Sequence, residues 1–256
     1  MVEPITVSGV ALDVEQRGSG QPLVFLHSGE GLRPDQPWLE LLAKQYTVIA
    51  PWHPGFGQSD LPRWIGTVDD LAYLYLDLAV QLGLSNAILV GSGFGGWIAA
   101  EMAVRNTAAF SKLVLCAPLG IKVGDRDCRD IADVHSMSRK EFIDLAWADP
   151  ANGQDAYDQM SDEELIALVR GREALALYGW KPYMHNPRLK NWLHRIDKPV
   201  QLLWGDQDGI VTPTYGEAWA RAIPNAKMDI IPACGHFPMW ERPDAFVKKI
   251  ADFAAS

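Results

Sequence analysis

Three short segments of this chain carry residue types that could do chemistry together. In Val90-Gly91-Ser92-Gly93-Phe94-Gly95-Gly96-Trp97-Ile98 an apolar run ends in a glycine-dense turn and a helical pattern begins. One use of such a turn is to cradle a phosphate at a helix N-terminus. The string lacks the Lys-Ser/Thr of a phosphate-binding loop and does not follow the first strand, which disfavours that use. The other use is the nucleophile elbow, small-x-nucleophile-x-small, in which small flanks permit a tight strand-to-helix turn. Gly91 and Gly95 are the flanks, the nucleophile slot is position 93, and position 93 is glycine. Ser92 is a poor substitute: its flanks are Val90 and Phe94, neither small, and neighbouring side chains leave a strand on opposite sides. Further on, Trp204-Gly205-Asp206-Gln207-Asp208-Gly209 places two carboxylates just past a strand, and Ala233-Cys234-Gly235-His236-Phe237-Pro238 places a histidine after the last strand. A histidine oriented by a carboxylate is a general base in search of a hydroxyl or a water. Cys234 belongs to the histidine loop rather than the elbow and reads as a small buried hydrophobe.

These residues need elements to hold them. Val10–Glu15 and Pro22–Leu26 read as strands around the turn Gly18-Ser19-Gly20, and Tyr46–Ala50 as a strand stopped by Pro51. Trp38-Leu39-Glu40-Leu41-Leu42 opens a helix. Between Asp69 and Leu82 apolar residues recur at helical spacing. Asn86–Val90, Leu113–Cys116, Val200–Trp204 and Met228–Ile231 are further strands, and a last helix follows Pro243. Their continuous apolar runs suit strands buried on both faces, as in a parallel sheet covered by helices. From about 121 to 197 strand-like runs give way to scattered aromatics and charges, which predicts a helical insertion. The expected fold is therefore α/β, with 1–120 and 198–256 as the core and 121–197 as a helical cap.

Composition narrows the function classes. The chain has 256 residues, 48% hydrophobic and 21% charged, and a formal net charge of −9, so it offers no electrostatic footprint for nucleic acid or an anionic membrane surface. No apolar stretch approaches a membrane span. Met1-Val2-Glu3-Pro4 has neither the basic nor the apolar region of a secretory signal. Cys116, Cys128 and Cys234 are odd in number and far apart, which fits a reducing compartment and a cytoplasmic location. His135, His185 and His194 lack ligand-like spacing, so no metal is expected, and no motif calls for a cofactor.

Taken in order (elbow, acid, histidine) the motifs resemble the α/β-hydrolase superfamily of the capped, single-domain kind. The likeness extends to Leu26-His27-Ser28-Gly29-Glu30-Gly31, at the place of the family's oxyanion loop, and to Pro54-Gly55-Phe56-Gly57-Gln58-Ser59-Asp60, a common family turn. The resemblance implies Asp208, three residues past the strand-end glycine, as the triad acid, Asp206 as a solvated turn residue and His236 as general base. It implies an oxyanion hole from the Phe94 N–H and the turn at Ser28 and Gly29. His27 would support that loop, and His53 would either line the pocket mouth or sit exposed. Trp147, Tyr178 and Trp180 are expected to face the cleft, suiting a small apolar or aromatic carboxylic ester as the partner molecule, with the nucleophile position vacated at Gly93. Two other readings stay open. One is a hydrolase or lyase, C–C bond hydrolysis included, that uses the His236–Asp208 dyad without a covalent intermediate, with Arg188 or Lys190 available for a substrate carboxylate. The other is a ligand-binding pseudoenzyme or receptor. The oligomeric state is not legible.

Overall fold

A computed structural model describes residues 2–33, 36–154 and 157–256; Met1, which opens the segment read for targeting, lies outside them. The first half of the chain forms β1 (Val2–Val7), β2 (Val10–Arg17), β3 (Gln21–Leu26), α1 (Pro37–Ala43), β4 (Tyr46–Pro51), α2 (Val68–Gln81), β5 (Ala87–Ser92), α3 (Phe94–Arg105) and β6 (Phe110–Cys116). It continues with α4 (Arg139–Ala146), α5 (Asp162–Gly179), α6 (Leu189–Trp192), β7 (Val200–Gly205), α7 (Pro213–Ala222), β8 (Ala226–Ile231), α8 (Pro238–Glu241) and α9 (Pro243–Ala255).

The strands make one eight-stranded sheet in the order β1-β2-β4-β3-β5-β6-β7-β8. β1 and β2 are antiparallel to their neighbours, and every pairing from β4 to β8 is parallel. The α/β architecture with a mostly parallel sheet is thus present. In β5 the alternation of a strand sorts a wholly apolar run onto two faces. Leu89 joins Leu71 and Ile98 on one side, while Ile88 and Val90 join Trp38, Leu39 and Phe246 on the other. Two features add to the sequence reading. β1, to which the sequence reading assigns no strand, contains Pro4 and lies at the sheet edge, where a missing N–H is tolerated. β2 and β3 flank their short turn but do not pair, because β4 lies between them in the registers Glu15↔Ala50 and Leu23↔Val48.

All parallel strands point their carboxyl ends to one edge, so the loops after β3, β5, β7 and β8 meet there, the usual ligand position in such sheets. Between β6 and β7 the described residues form α4, α5, α6 and 3-10 turns at Pro150–Gly153, Tyr157–Gln159 and Leu193–Arg195, and add no strand to the sheet. α4 and α5 each start with a capping box, Ser138 with Glu141 and Ser161 with Glu164, which satisfies two backbone donors at once. The segment is tied to the core. Arg170 donates to the carbonyls of Gly57 (2.9 Å) and Ser59 (3.2 Å), and the Tyr178 hydroxyl donates to the carbonyl of Pro54 (3.0 Å).

Candidate active site

β5 delivers the chain to Gly93, whose φ of +51° and ψ of −109° turn it directly into α3. Only glycine fits the surrounding crossings. A Cβ on Gly91 would lie 2.4 Å from the carbonyl oxygen of Gly95, and one on Gly95 would lie 2.1 Å from that of Leu26. The turn is braced from both sides: Gly93 N–H donates to Cys116 O (2.9 Å), and Gly93 O accepts from Leu119 N–H (3.0 Å). Phe94 is the first residue of α3, so its N–H has no partner within the helix.

Opposite Gly93 stands His236. Its Nδ1 is 2.8 Å from Oδ2 of Asp208, and both residues are buried. The other carboxylate oxygen of Asp208 accepts from Ile210 N–H (2.9 Å) and Val211 N–H (3.0 Å), which fixes the carboxylate plane. With Nδ1–H donated to Asp208, the lone pair of Nε2 is left facing position 93. A Cβ placed there would be 3.0 Å from Nε2 and 3.6 Å from Ser28 Cβ. Asp206 is exposed and accepts from Cys234 N–H (3.2 Å), so Asp208 is the carboxylate that holds the imidazole.

The turn after β3 is held from beneath by two histidines. His27 Nδ1 lies 2.7 Å from Ser28 O, and His27 Nε2 accepts from His53 N–H (2.9 Å). His53 Nε2 reaches His27 O (2.9 Å), and its Nδ1 takes the hydroxyl of Tyr75 (2.5 Å). Both rings are completely buried, and burial pushes His27 down to about 4 and His53 well below the usual imidazole range, so both are neutral. His53 is therefore neither at a pocket mouth nor in an exposed loop; its second partner, Tyr75 on α2, gave no sequence signal.

A cavity of about 300 Å³ opens against His236, Phe94 and Gly29. Its wall is mainly apolar, with Leu119, Ile131, Phe142, Leu175, Met184 and Phe237, and carries the Glu30–Arg139 ion pair (2.8 Å), Arg172 and His135. Gly29, Glu30 and Arg172 also border a second cavity of about 600 Å³ containing Trp52, Trp147 and Trp240. The three aromatics expected in the cleft are not brought together. Trp147 borders the second cavity, Tyr178 stacks behind Phe94 with ring centroids 5.8 Å apart, and Trp180 is 66% exposed beside a third cavity. Arg188 and Lys190 are exposed and border none of the described cavities, whereas Arg139 and Arg172, not singled out from the sequence, border the one at His236. Ser92 is fully buried and lines no described cavity. Cys234 is buried as well, and burial pushes its thiol far above the usual range, so it offers no thiolate. Among the described residues no group of histidine, cysteine and carboxylate side chains could hold a metal, and no helix is long and apolar enough to cross a membrane.

Comparison with known proteins places this arrangement. The chain is 29% identical to the uncharacterized hydrolase YugF of Bacillus subtilis (strain 168), the match covering 98% of each chain. It is 24% identical to a 2-hydroxy-6-oxo-6-phenylhexa-2,4-dienoate hydrolase of Burkholderia cepacia, covering 98% of this chain and 93% of that one. Among solved structures, an esterase from Rhodococcus sp. ECU1013 superposes with a TM-score of 0.80 at 25% identity, covering 100% and 98%. A meta-cleavage product hydrolase from Pseudomonas fluorescens shares the fold, with a TM-score of 0.80, 20% identity and coverage of 98% and 96%. Residues 23–249, from β3 into α9, match the alpha/beta hydrolase family, so the chain, whose loops bearing Gly93, Asp208 and His236 converge at this sheet edge, belongs to that family of hydrolases.

Proposed function

We propose that the chain binds a small, apolar or aromatic carboxylic ester at the cavity facing His236, and that Gly93 interrupts the covalent route by which such an ester would be cleaved. In this reading 1–120 and 198–256 form the core, 121–197 caps it, and the protein works in the cytoplasm on a small molecule. His236 is the general base, Asp208 fixes its tautomer and stabilises the imidazolium, and Phe94 N–H with the turn at Ser28 and Gly29 binds the developing oxyanion. These donors are main-chain groups and persist whatever occupies position 93. The observation that carries the reading is the 3.0 Å between Nε2 and the Cβ position of residue 93: the base still addresses the nucleophile slot.

A hydroxyl at position 93 would be deprotonated by His236 as it attacks the ester carbonyl, and the proton would pass to the departing alcohol. Without it the ester can be held and polarised but not acylate the protein. Loss of a triad serine costs on the order of 10⁶ in turnover in the best-studied protease, and about 10³–10⁴ over water remains from oxyanion binding and positioning. Hydrolysis of a short-chain aryl ester by the unaltered chain, by Gly93→Ser, and by Gly93→Ser with His236→Ala tests this, with His236→Ala alone as control. The expected order is weak, strongly enhanced, weak. Rapid turnover by the native chain that disappears in His236→Ala would replace the reading with direct activation of water by the dyad. That second reading is favoured by His236 bordering the cavity itself, and the cation Arg172 on the same cavity would suit a carboxylate-bearing C–C cleavage substrate. Tight ligand binding by both forms with no hydrolysis by either would leave a receptor.

A further inference from the structure

Glu241 ends α8, five residues after His236, and is 7% exposed. One oxygen of its carboxylate accepts the Gly235 N–H at 2.6 Å, immediately before the histidine. The other accepts the N–H groups of Ala148 (2.9 Å) and Asp149 (3.1 Å), just past α4. The last turn of α4 itself reaches the loops of both members of the dyad by its carbonyls. Ala146 O accepts His236 N–H at 2.7 Å, and Leu145 O accepts the N–H of Gly209, the neighbour of Asp208, at 2.9 Å. The approach is close enough to require glycines: a Cβ on Gly235 would lie 2.3 Å from Ala146 O, and one on Gly209 would lie 2.8 Å from Leu145 O.

We propose that Glu241 is a positioning residue for His236, and that through it the stretch 145–149 is part of the mounting of the His236–Asp208 dyad. Asp208 sets the ring, while Glu241 sets the backbone that carries it. This rests on the reading of His236 as general base. A carboxylate suits the task because it is acceptor-only and can take all three N–H groups in charge-assisted bonds. A glutamine there has one acceptor oxygen and an NH₂ that must face a donor, so one side of the mounting is lost while size and fold are kept.

Glu241→Gln is therefore the informative variant, read in two settings. In the native chain, the far-downfield proton resonance of His236 Nδ1–H shared with Asp208 is expected to broaden or shift. In the Gly93→Ser background, kcat on an aryl ester is expected to fall about 10²-fold, as for a reacting group displaced by about 1 Å, while KM changes less than about threefold. An unchanged resonance with unchanged kcat in a folded variant overturns the proposal. If the Gly93→Ser chain hydrolyses no ester, the general-base reading fails and the resonance still decides the positioning role. Should Glu241→Gln not fold, amide exchange in the unaltered chain decides. Residues 148–149, 209 and 235–236 should exchange as one slow unit; rapid exchange at 148–149 beside protected 235–236 overturns it.

Discussion

At position 93 the pair φ +51°, ψ −109° is a conformation that glycine adopts freely and other residues adopt at a cost of about 1–3 kcal/mol. The contact cost is separate: a Cβ 3.0 Å from His236 Nε2 obliges the imidazole to yield by a few tenths of an ångström. Serine and alanine share both costs, and only serine adds a hydroxyl within reach of the base. Gly93→Ser and Gly93→Ala are therefore expected to lose equal stability, about 1–3 kcal/mol in urea unfolding, while only the serine form gains esterase activity. Equal activity in the two variants would show that the new methylene, not the hydroxyl, reshaped the site. That residues 93, 208 and 236 come together was legible because their surroundings constrain them locally: flanking glycines at the turn, three residues from Gly205 to Asp208, Gly235 before His236. Glu241 was not legible, since its partners are backbone N–H groups up to 93 positions away and a main-chain donor has no residue type to read.

Among the elements, the loops after β3 and β4 are joined by a pair of uncharged histidines, and this makes their cohesion depend on pH. The usual imidazole value is 6.5, and burial holds His27 at about 4. A depressed value means that the unfolded chain binds the proton more readily, so the stabilising contribution is complete above about 6.5 and is lost as the pH falls toward 4. For His27 alone the difference amounts to about 3 kcal/mol, and His53, lowered for the same reason, adds to it. The urea midpoint should be flat just above neutrality and decline through this window, while the His27 ring resonances stay in their neutral form as long as the chain is folded. Titration of His27 near 6.5 in the folded protein would show the ring to be hydrated. The strands and helices themselves were largely legible, because burial on both faces writes a continuous apolar run such as Ile88-Leu89-Val90, and α2 carries its apolar residues at helical spacing. What local pattern does not encode is rotation about a helix axis: Tyr178 and Trp180 lie two residues apart at the end of α5, yet one is packed on Phe94 and the other is in solvent.

At the scale of the whole molecule, two of the attachments of the segment between β6 and β7 differ in character. Near α4 it is bonded to the loops of Asp208 and His236 through backbone groups and Glu241. At α5 it is fastened to the 54–60 turn by side chains, the two hydrogen bonds of Arg170 and that of Tyr178. In the proposed reading of 121–197 as a cap, release at α5 would admit a substrate while leaving the bonds to the loops of Asp208 and His236 intact. Arg170→Met keeps most of the aliphatic stem but removes both charge-assisted bonds, each worth about 1.5–3 kcal/mol. With both bonds gone, local opening of the α5 end should then become easier by about 10²–10⁴-fold, each 1.4 kcal/mol being a factor of ten, with the sheet untouched. Limited proteolysis under native conditions reads this directly, because cleavage through a rapidly reclosing state follows the population of the open form. The expected result is faster cutting within 121–197 with unchanged cutting of the core, together with a lower KM for bulky esters in the Gly93→Ser background if opening admits them. Cleavage of segment and core accelerating in parallel would mean that the two unfold as one unit, and that entry to the cavity at His236 does not depend on release at α5.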